Sequence, residues 1–306
     1  MLSLLDNIFL GGVLMKYLLI LLAVAGSVFI NGSYAEQKEM VYRYWDWDIT
    51  PERARYQLDA LNLALQKTEK DWGPYQIIRQ VEKFSSLRAQ RTLLEGEVFN
   101  IHASPLQPVP ETHPMYHRIT IKKPLMKSLL GYRQLIIRRS DYEKFKAITS
   151  EDELKALVVG QGSDWVDLQI FRHNGYAATD SEYYNLFSML LAKRYDYLSV
   201  GVIETKGALA QFANPDDVMV LPGLIIYYPL PTFFHVSPVY PELAARVEQG
   251  LAIATADGSL DALFKQHFAQ YIQQMRADNP RVFVLENPTI SAEPELNKLS
   301  LLTPKK

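Results

Sequence analysis

Short apolar runs alternate with amphipathic stretches along residues 40 to 275. Val41–Trp47 reads as a strand that ends at Asp48-Ile49-Thr50-Pro51. Thr50-Pro51-Glu52 has the form of a helix start: Thr as N-cap, Pro at the first helical position, an acid in the first turn. The helix predicted to follow sets Leu58, Leu61 and Leu65 on one face, and Gly73-Pro74 stops it. "YQIIRQV" is a second strand, Ser86 opens a second helix, and "EVFNIHAS" is a third strand. This β-α-β-α-β order predicts a mainly parallel sheet covered by helices.

After a passage rich in proline (Pro105, Pro108, Pro110, Pro114) comes the strand "GYRQLIIRR", and the alternation restarts. "LKALVVGQG" is expected as a strand, Trp165–Arg172 as a helix stopped at His173-Asn174-Gly175, and "YYNLFSMLLAKRY" as another helix. "DYLSVGVIE" is a strand and "GALAQF" a short helix. "VMVLPGLIIYYPLPTFFHVSP" gives further strands broken by Pro222, Pro229 and Pro231. Two strong helices close the pattern, and the second carries Phe264, Phe268, Tyr271 and Met275 as one broad stripe. No repeat of solenoid length is visible. Two β/α blocks thus follow each other, and the closing helices, having no third sheet to cover, must pack on one of them.

The N-terminus changes the picture of where this chain works. "MKYLLILLAVAGSVFINGSYA", beginning at Met15, joins one basic residue to an apolar stretch and ends in Ser33-Tyr34-Ala35. Small residues before a cut suit signal peptidase, so residues 1–35 are read as a signal peptide cleaved after Ala35, with Met15 a candidate start. The rival reading is an uncleaved anchor over residues 8–30, which Lys16 and three glycines weaken. Export implies a periplasmic protein. Absence of cysteine excludes a disulfide framework, a thiol nucleophile and thiolate metal sites. A formal net charge of −2 gives no electrostatic reason for a nucleic acid partner.

Several segments together resemble the extracellular solute-binding proteins of family 3, the amino-acid-binding class. "PELAARVEQGLAIATADGSLDALFKQHF" is similar to that family's closing helices around an Asp-Gly-small turn, here Asp257-Gly258-Ser259. "GYRQLIIRR" resembles its strand before the first crossover, "LVVGQGSDWVD" its Gly-Ser/Thr turn, and "NLFSMLLAKRYDYLSVGVIE" its helix–(Lys/Arg)-x-Asp–strand unit. The resemblance implies a type 2 periplasmic-binding fold, an α/β clamshell of two lobes that closes on a solute. It implies a discontinuous first lobe, 36–139 plus 231–306, and a second lobe, 140–230, with crossovers at Ser140-Asp141 and Pro229-Leu230-Pro231. It also implies a small-molecule solute, a membrane transporter or sensor as partner, a monomer and no cofactor.

Ligands of α/β sheets bind beyond the carboxyl ends of strands. Strand alternation sends Tyr42, Tyr44 and Asp46 to one side and Trp45 and Trp47 to the other. Tyr42 is expected in the core, and Tyr44, Trp45, Asp46 and Trp47 at a pocket or its rim, where Asp46 can receive a cation. The resemblance makes Arg133 the candidate to grip an anion, since a planar guanidinium holds a carboxylate with two parallel hydrogen bonds. It also points to Ser163 and Trp165 at a helix start, with Ser163 or Asp164 as N-cap. One departure stands out. Amino-acid binders carry an acid about five residues after the Asp matched by Asp196, and Gly201 stands there; Glu204 is the nearest acid. Either the ligand is not a standard α-amino acid, or binding has drifted.

Arg88 and Arg91 reach a cleft or form a solvated face. His113 and His117 have a helical metal-ligand spacing, but Pro110 and Pro114 break any helix there, and no metal is expected. No Gly-x-Ser-x-Gly, Walker-type loop or His-Glu-x-x-His occurs. The expected function is capture of a small anionic or zwitterionic solute without turnover. The alternatives are a dehydratase-like enzyme using Asp46 or Glu204 as general acid, and a scaffold that no longer binds.

Overall fold

The computed structural model describes residues 39–47, 50–84, 86–107, 109–163, 165–290, 296 and 301–302. The segment expected to be a signal peptide, residues 1–35, and Asp164 lie outside the described residues. Two sheets flanked by helices make an α/β fold. The first has the order β2-β1-β3-β10-β4, from β1 (Met40–Trp45), β2 (Tyr75–Gln80), β3 (Ile101–Pro105), β4 (Ile119–Ile121) and β10 (Thr232–Val236). The second has the order β11-β9-β5-β8-β6-β7, from β5 (Tyr132–Arg138), β6 (Val159–Gly162), β7 (Ala178–Ser181), β8 (Tyr197–Gly201), β9 (Val218–Tyr227) and β11 (Arg281–Val284). Strands linked through helices pair in parallel, β1 with β2 and β3, and β6 with β7 and β8. Strands next to the crossings, β5 and β10, pair antiparallel with β8 and β3.

Two expectations about the crossings need correction. β5 belongs to the second sheet, so the first crossing comes before Tyr132 and not at Ser140-Asp141. Leu135, Ile136 and Ile137 are all wholly buried, and they alternate between two separate apolar clusters. A strand covered on both faces needs a central position, which β5 finds between β8 and β9. Likewise, not all of 231–306 follows the first sheet: β11 runs parallel to β9, with Arg281 opposite Leu224 and Val284 opposite Tyr227. Pro222 does not break β9 either. It lies where pairing with β5 skips from Ile225 opposite Gln134 to Val220 opposite Ile136, an irregularity that spares the ladder a missing N–H.

Helix α1 (Pro51–Trp72) begins at the expected Pro51 and ends at Gly73, although the Thr50 side chain makes no cap bond. The other helices are α2 (Ser86–Glu95), α3 (Tyr142–Lys146), α4 (Glu151–Lys155), α5 (Val166–His173), α6 (Leu186–Leu191), α7 (Thr205–Phe212), α8 (Pro241–Ala256) and α9 (Ser259–Asp278). The closing helices α8 and α9 pack on α1, and Leu61, Leu65, Leu251, Phe264 and Phe268 share one core with Tyr42 and Phe234 of the first sheet. α8 approaches α1 so closely that a Cβ on Gly250 would sit 2.0 Å from the Ala64 carbonyl oxygen. Arg246, fully buried on α8, donates to the Leu65, Gly73 and Pro74 carbonyls and to the Thr68 hydroxyl. It thereby ties α8 to the last turns of α1 and to the Gly73-Pro74 stop that follows them. Among the described residues no helix is long and apolar enough to cross a membrane.

Candidate functional site

β1 delivers Tyr44, Trp45, Asp46 and the adjoining Trp47 to the carboxyl end of the first sheet, just before α1 starts. From the second sheet, the turn after β6 brings Ser163 and Trp165, and the turn between β8 and α7 brings Glu204. These residues and Arg133 of β5 line one cleft of about 410 Å³. The structure therefore gathers Tyr44, Trp45, Asp46, Trp47, Arg133, Ser163, Trp165 and Glu204 around one space. Arg88 and Arg91 do not line it; Arg88 lies over the Phe84 ring instead.

Several of these side chains are already engaged. The Tyr44 hydroxyl donates to Gln57 Oε1 at 3.2 Å. Trp45 stacks on Phe99 at 5.2 Å and donates its indole N–H to the Glu82 carbonyl. Asp46, itself 5% exposed, accepts from Arg79 Nε at 2.6 Å, so the cation it receives is the protein's own. Ser163 is not a helix cap: its hydroxyl donates to Asp180 at 3.1 Å, and Trp165 takes the N-cap position of α5 without a side-chain bond.

Arg133 is the most enclosed of them, at 2% exposure. Its Nη1 donates to the Leu130 carbonyl and its Nη2 to the Ser199 carbonyl, each at 3.0 Å. Asp167 lies 3.0 Å from Nη2 and Glu204 3.9 Å from Nη1. Burial works against its charge, but the carboxylates of Asp167 and Glu204 and the Tyr228 hydroxyl hold its pKa above the usual guanidinium value. Tyr228 in turn donates to Asp167 at 2.5 Å, and burial pushes that phenol well up.

Contacts also cross the cleft. Arg53, on the first turn of α1, donates Nη1 to Glu204 Oε1 at 2.7 Å. Trp47 meets Tyr183 at 5.6 Å between ring centroids, and Trp165 reaches the same ring at 5.9 Å. Lys83 lies 5.0 Å from the centroid of Tyr184. Arg53, Asp167 and Tyr183 line the cleft as well, without having stood out in the sequence. Their signal was the proximity of each to a predicted turn at a strand's carboxyl end, but nothing in their spacing separates them from surface positions.

Two histidines of the first sheet also line the cleft. His235 is 1% exposed, and its ring lies 5.3 Å from that of His102. His235 Nε2 faces the Ser104 carbonyl at 3.3 Å, which can only accept, so Nδ1 takes the Thr120 hydroxyl at 3.0 Å. Burial drives both pKa values down, His102 to about 3 and His235 well below the ordinary value, with Arg118 adding to each. Arg118 lines the same end and directs its terminal nitrogens at the Met115 and Gln107 carbonyls. Among the described residues no three His, Asp or Glu side chains are placed to hold a metal ion. His113 accepts the Met115 N–H through Nδ1.

The sequence matches no protein-family model, and comparison with curated proteins found no relative. Solved structures do match. A histidine kinase sensor domain with similarity to periplasmic binding proteins is 14% identical, with TM-score 0.52, over 76% of this chain and 96% of that one. An ancestral arginine-binding protein bound to glutamine is 14% identical, with TM-score 0.52, over 74% and 97%. The ancestral amino acid-binding protein AncCDT-1, a precursor of cyclohexadienyl dehydratase, is 17% identical, with TM-score 0.50, over 74% and 95%. The fold is the two-lobe, type 2 periplasmic-binding fold.

Proposed function

We propose that this chain is an exported solute-binding protein that captures a small molecule between its lobes and offers it to a membrane transporter or sensor. One observation carries the reading: a single cleft is lined from both sheets, and the Arg53–Glu204 pair and the Trp47–Tyr183 contact already span it. A solute there touches both halves at once, and so binds the closed arrangement better than the open one. That differential affinity shifts the population. Binding is favoured over turnover because Asp46 and Glu204, the carboxyls considered for acid catalysis, are both directed at arginines. The apolar run before Ala35 supports export to the periplasm.

The test is a melting-temperature screen of the purified protein against amino acids, organic acids, polyamines, short peptides and heteroaromatic solutes. One chemical class should raise Tm in a saturable way, stabilising by about 2.7 kcal/mol at a hundred times its Kd. Flat melting curves throughout would contradict the reading.

A further inference from the structure

Resting on the cleft being the solute site, we infer that its ligand is an uncharged planar aromatic molecule, because the most enclosed charges of the cleft, Asp46, Arg133 and Glu204, are paired within the protein. Glu204 stands between two guanidiniums, Arg53 at 2.7 Å and Arg133 at 3.9 Å. It is 7% exposed, and a Cβ on Gly201 would lie 2.8 Å from its Oε2. The carboxylate is therefore folded back over the bare backbone at Gly201, a place that any larger residue would close. A ligand carboxylate aimed at Arg53 or Arg133 meets a resident carboxylate of the same sign. A ligand ammonium aimed at Glu204 meets Arg53.

Lys83 and Glu182 stand exposed among the lining residues, in water rather than in the enclosed part of the cleft, and the other charges give a ligand no better anchor. Arg133 is held by Asp167 and two carbonyls, Asp46 by Arg79, and Arg118 bonds two carbonyls. Arg133 and Asp46 are desolvated beside fixed partners, and transferring such a partner's bond to a ligand gains little. What the cleft does leave for a guest is ring surface. Trp47 and Trp165 are half-buried and flank Tyr183, and Phe84 stands at the first-lobe side. Half-covered rings from both lobes present faces on which a flat guest stacks, with offset or edge-on geometry. Closure then brings ring surface from both sides onto one flat molecule, and the Arg53–Glu204 pair joins the lobes beside it.

Three probes of one shape and different charge decide the matter: indole-3-acetamide, indole-3-acetate and tryptamine, titrated against the full protein by ligand-observed NMR. The amide should bind at least about tenfold more tightly than the acid or the amine, a difference of about 1.4 kcal/mol. Trp47→Ala and Trp165→Ala should each weaken the amide by roughly three- to tenfold, the worth of one aromatic contact. Glu204→Gln should raise affinity for indole-3-acetate by about tenfold or more, because a charge-assisted bond to Arg53 becomes free. The wild-type comparison stands even if a variant fails to fold. Equal binding of the acid, or of the amine, overturns the inference. Binding of amino acids without any binding of the amide also overturns it while leaving solute binding intact, and no saturable binding by any compound removes both.

Discussion

His235, buried, and His102, half-buried, line the cleft, and the lowering of their pKa values ties stability to pH at the scale of single residues. Both have pKa values lowered in the folded protein, His102 from 6.5 to about 3. The unfolded chain therefore binds protons below about pH 6.5 that the folded chain refuses. Their stabilising contribution is complete above that pH and is lost progressively as pH falls toward the folded value. Each histidine adds a slope of at most about 1.4 kcal/mol per pH unit. Urea unfolding between pH 6.5 and 5 should show stability falling with pH, and His235→Gln, which keeps a neutral hydrogen-bonding side chain, should flatten that slope. An unchanged slope would mean that His235 gains a proton in the fold. The strand end pointed to Tyr44, Trp45, Asp46 and Trp47 and the family resemblance to Arg133, Ser163, Trp165 and Glu204, and all eight line one cleft. Their engagement was not legible. Pairing of Arg53 with Glu204 joins residues 151 positions apart, and only the closed chain path sets them 2.7 Å apart.

Among the elements, α1 and α8 show how close packing overrides local preference. Replacing a helical glycine by alanine ordinarily stabilises by about 1 kcal/mol. At Gly250 the new methyl would stand 2.0 Å from the Ala64 backbone oxygen, and backbone cannot swing aside as a flexible side chain does. Gly250→Ala should therefore destabilise by roughly 1–3 kcal/mol, the cost of overpacking, read as a lower urea midpoint; a higher midpoint would show that the helices separate freely. The hydrophobic period made α1, α8 and α9 visible in the sequence, because long amphipathic stripes such as Phe264, Phe268 and Met275 have few other uses. β4 and β11 stayed hidden. Each has three or four residues, too few for a period, and β11 becomes a strand only because the edge of β9 is open to it. The position of β5 was hidden for a related reason: a wholly apolar run shows burial on two faces, but not which sheet supplies the cover.

For the whole molecule, the arrangement of two sheets around one lined space is what gives the residues a joint task. The expected α/β clamshell is the observed fold, and the early departure at Gly201 has a structural sense, since Glu204 lies over it. Sequence alone left open whether that departure meant a different ligand or lost binding. The ion pairs within the cleft and its half-buried rings are the grounds for proposing a different ligand, uncharged and aromatic. The proposed function requires the two lobes to close on the solute together, as the cross-cleft contacts suggest they can. Hydrogen exchange of the full protein, with and without the solute that raises Tm most, tests it most directly. Protection should rise together in segments 44–57 on one side and 163–184 and 200–205 on the other. Protection confined to one of these sides, or lying away from both, would contradict closure on a solute.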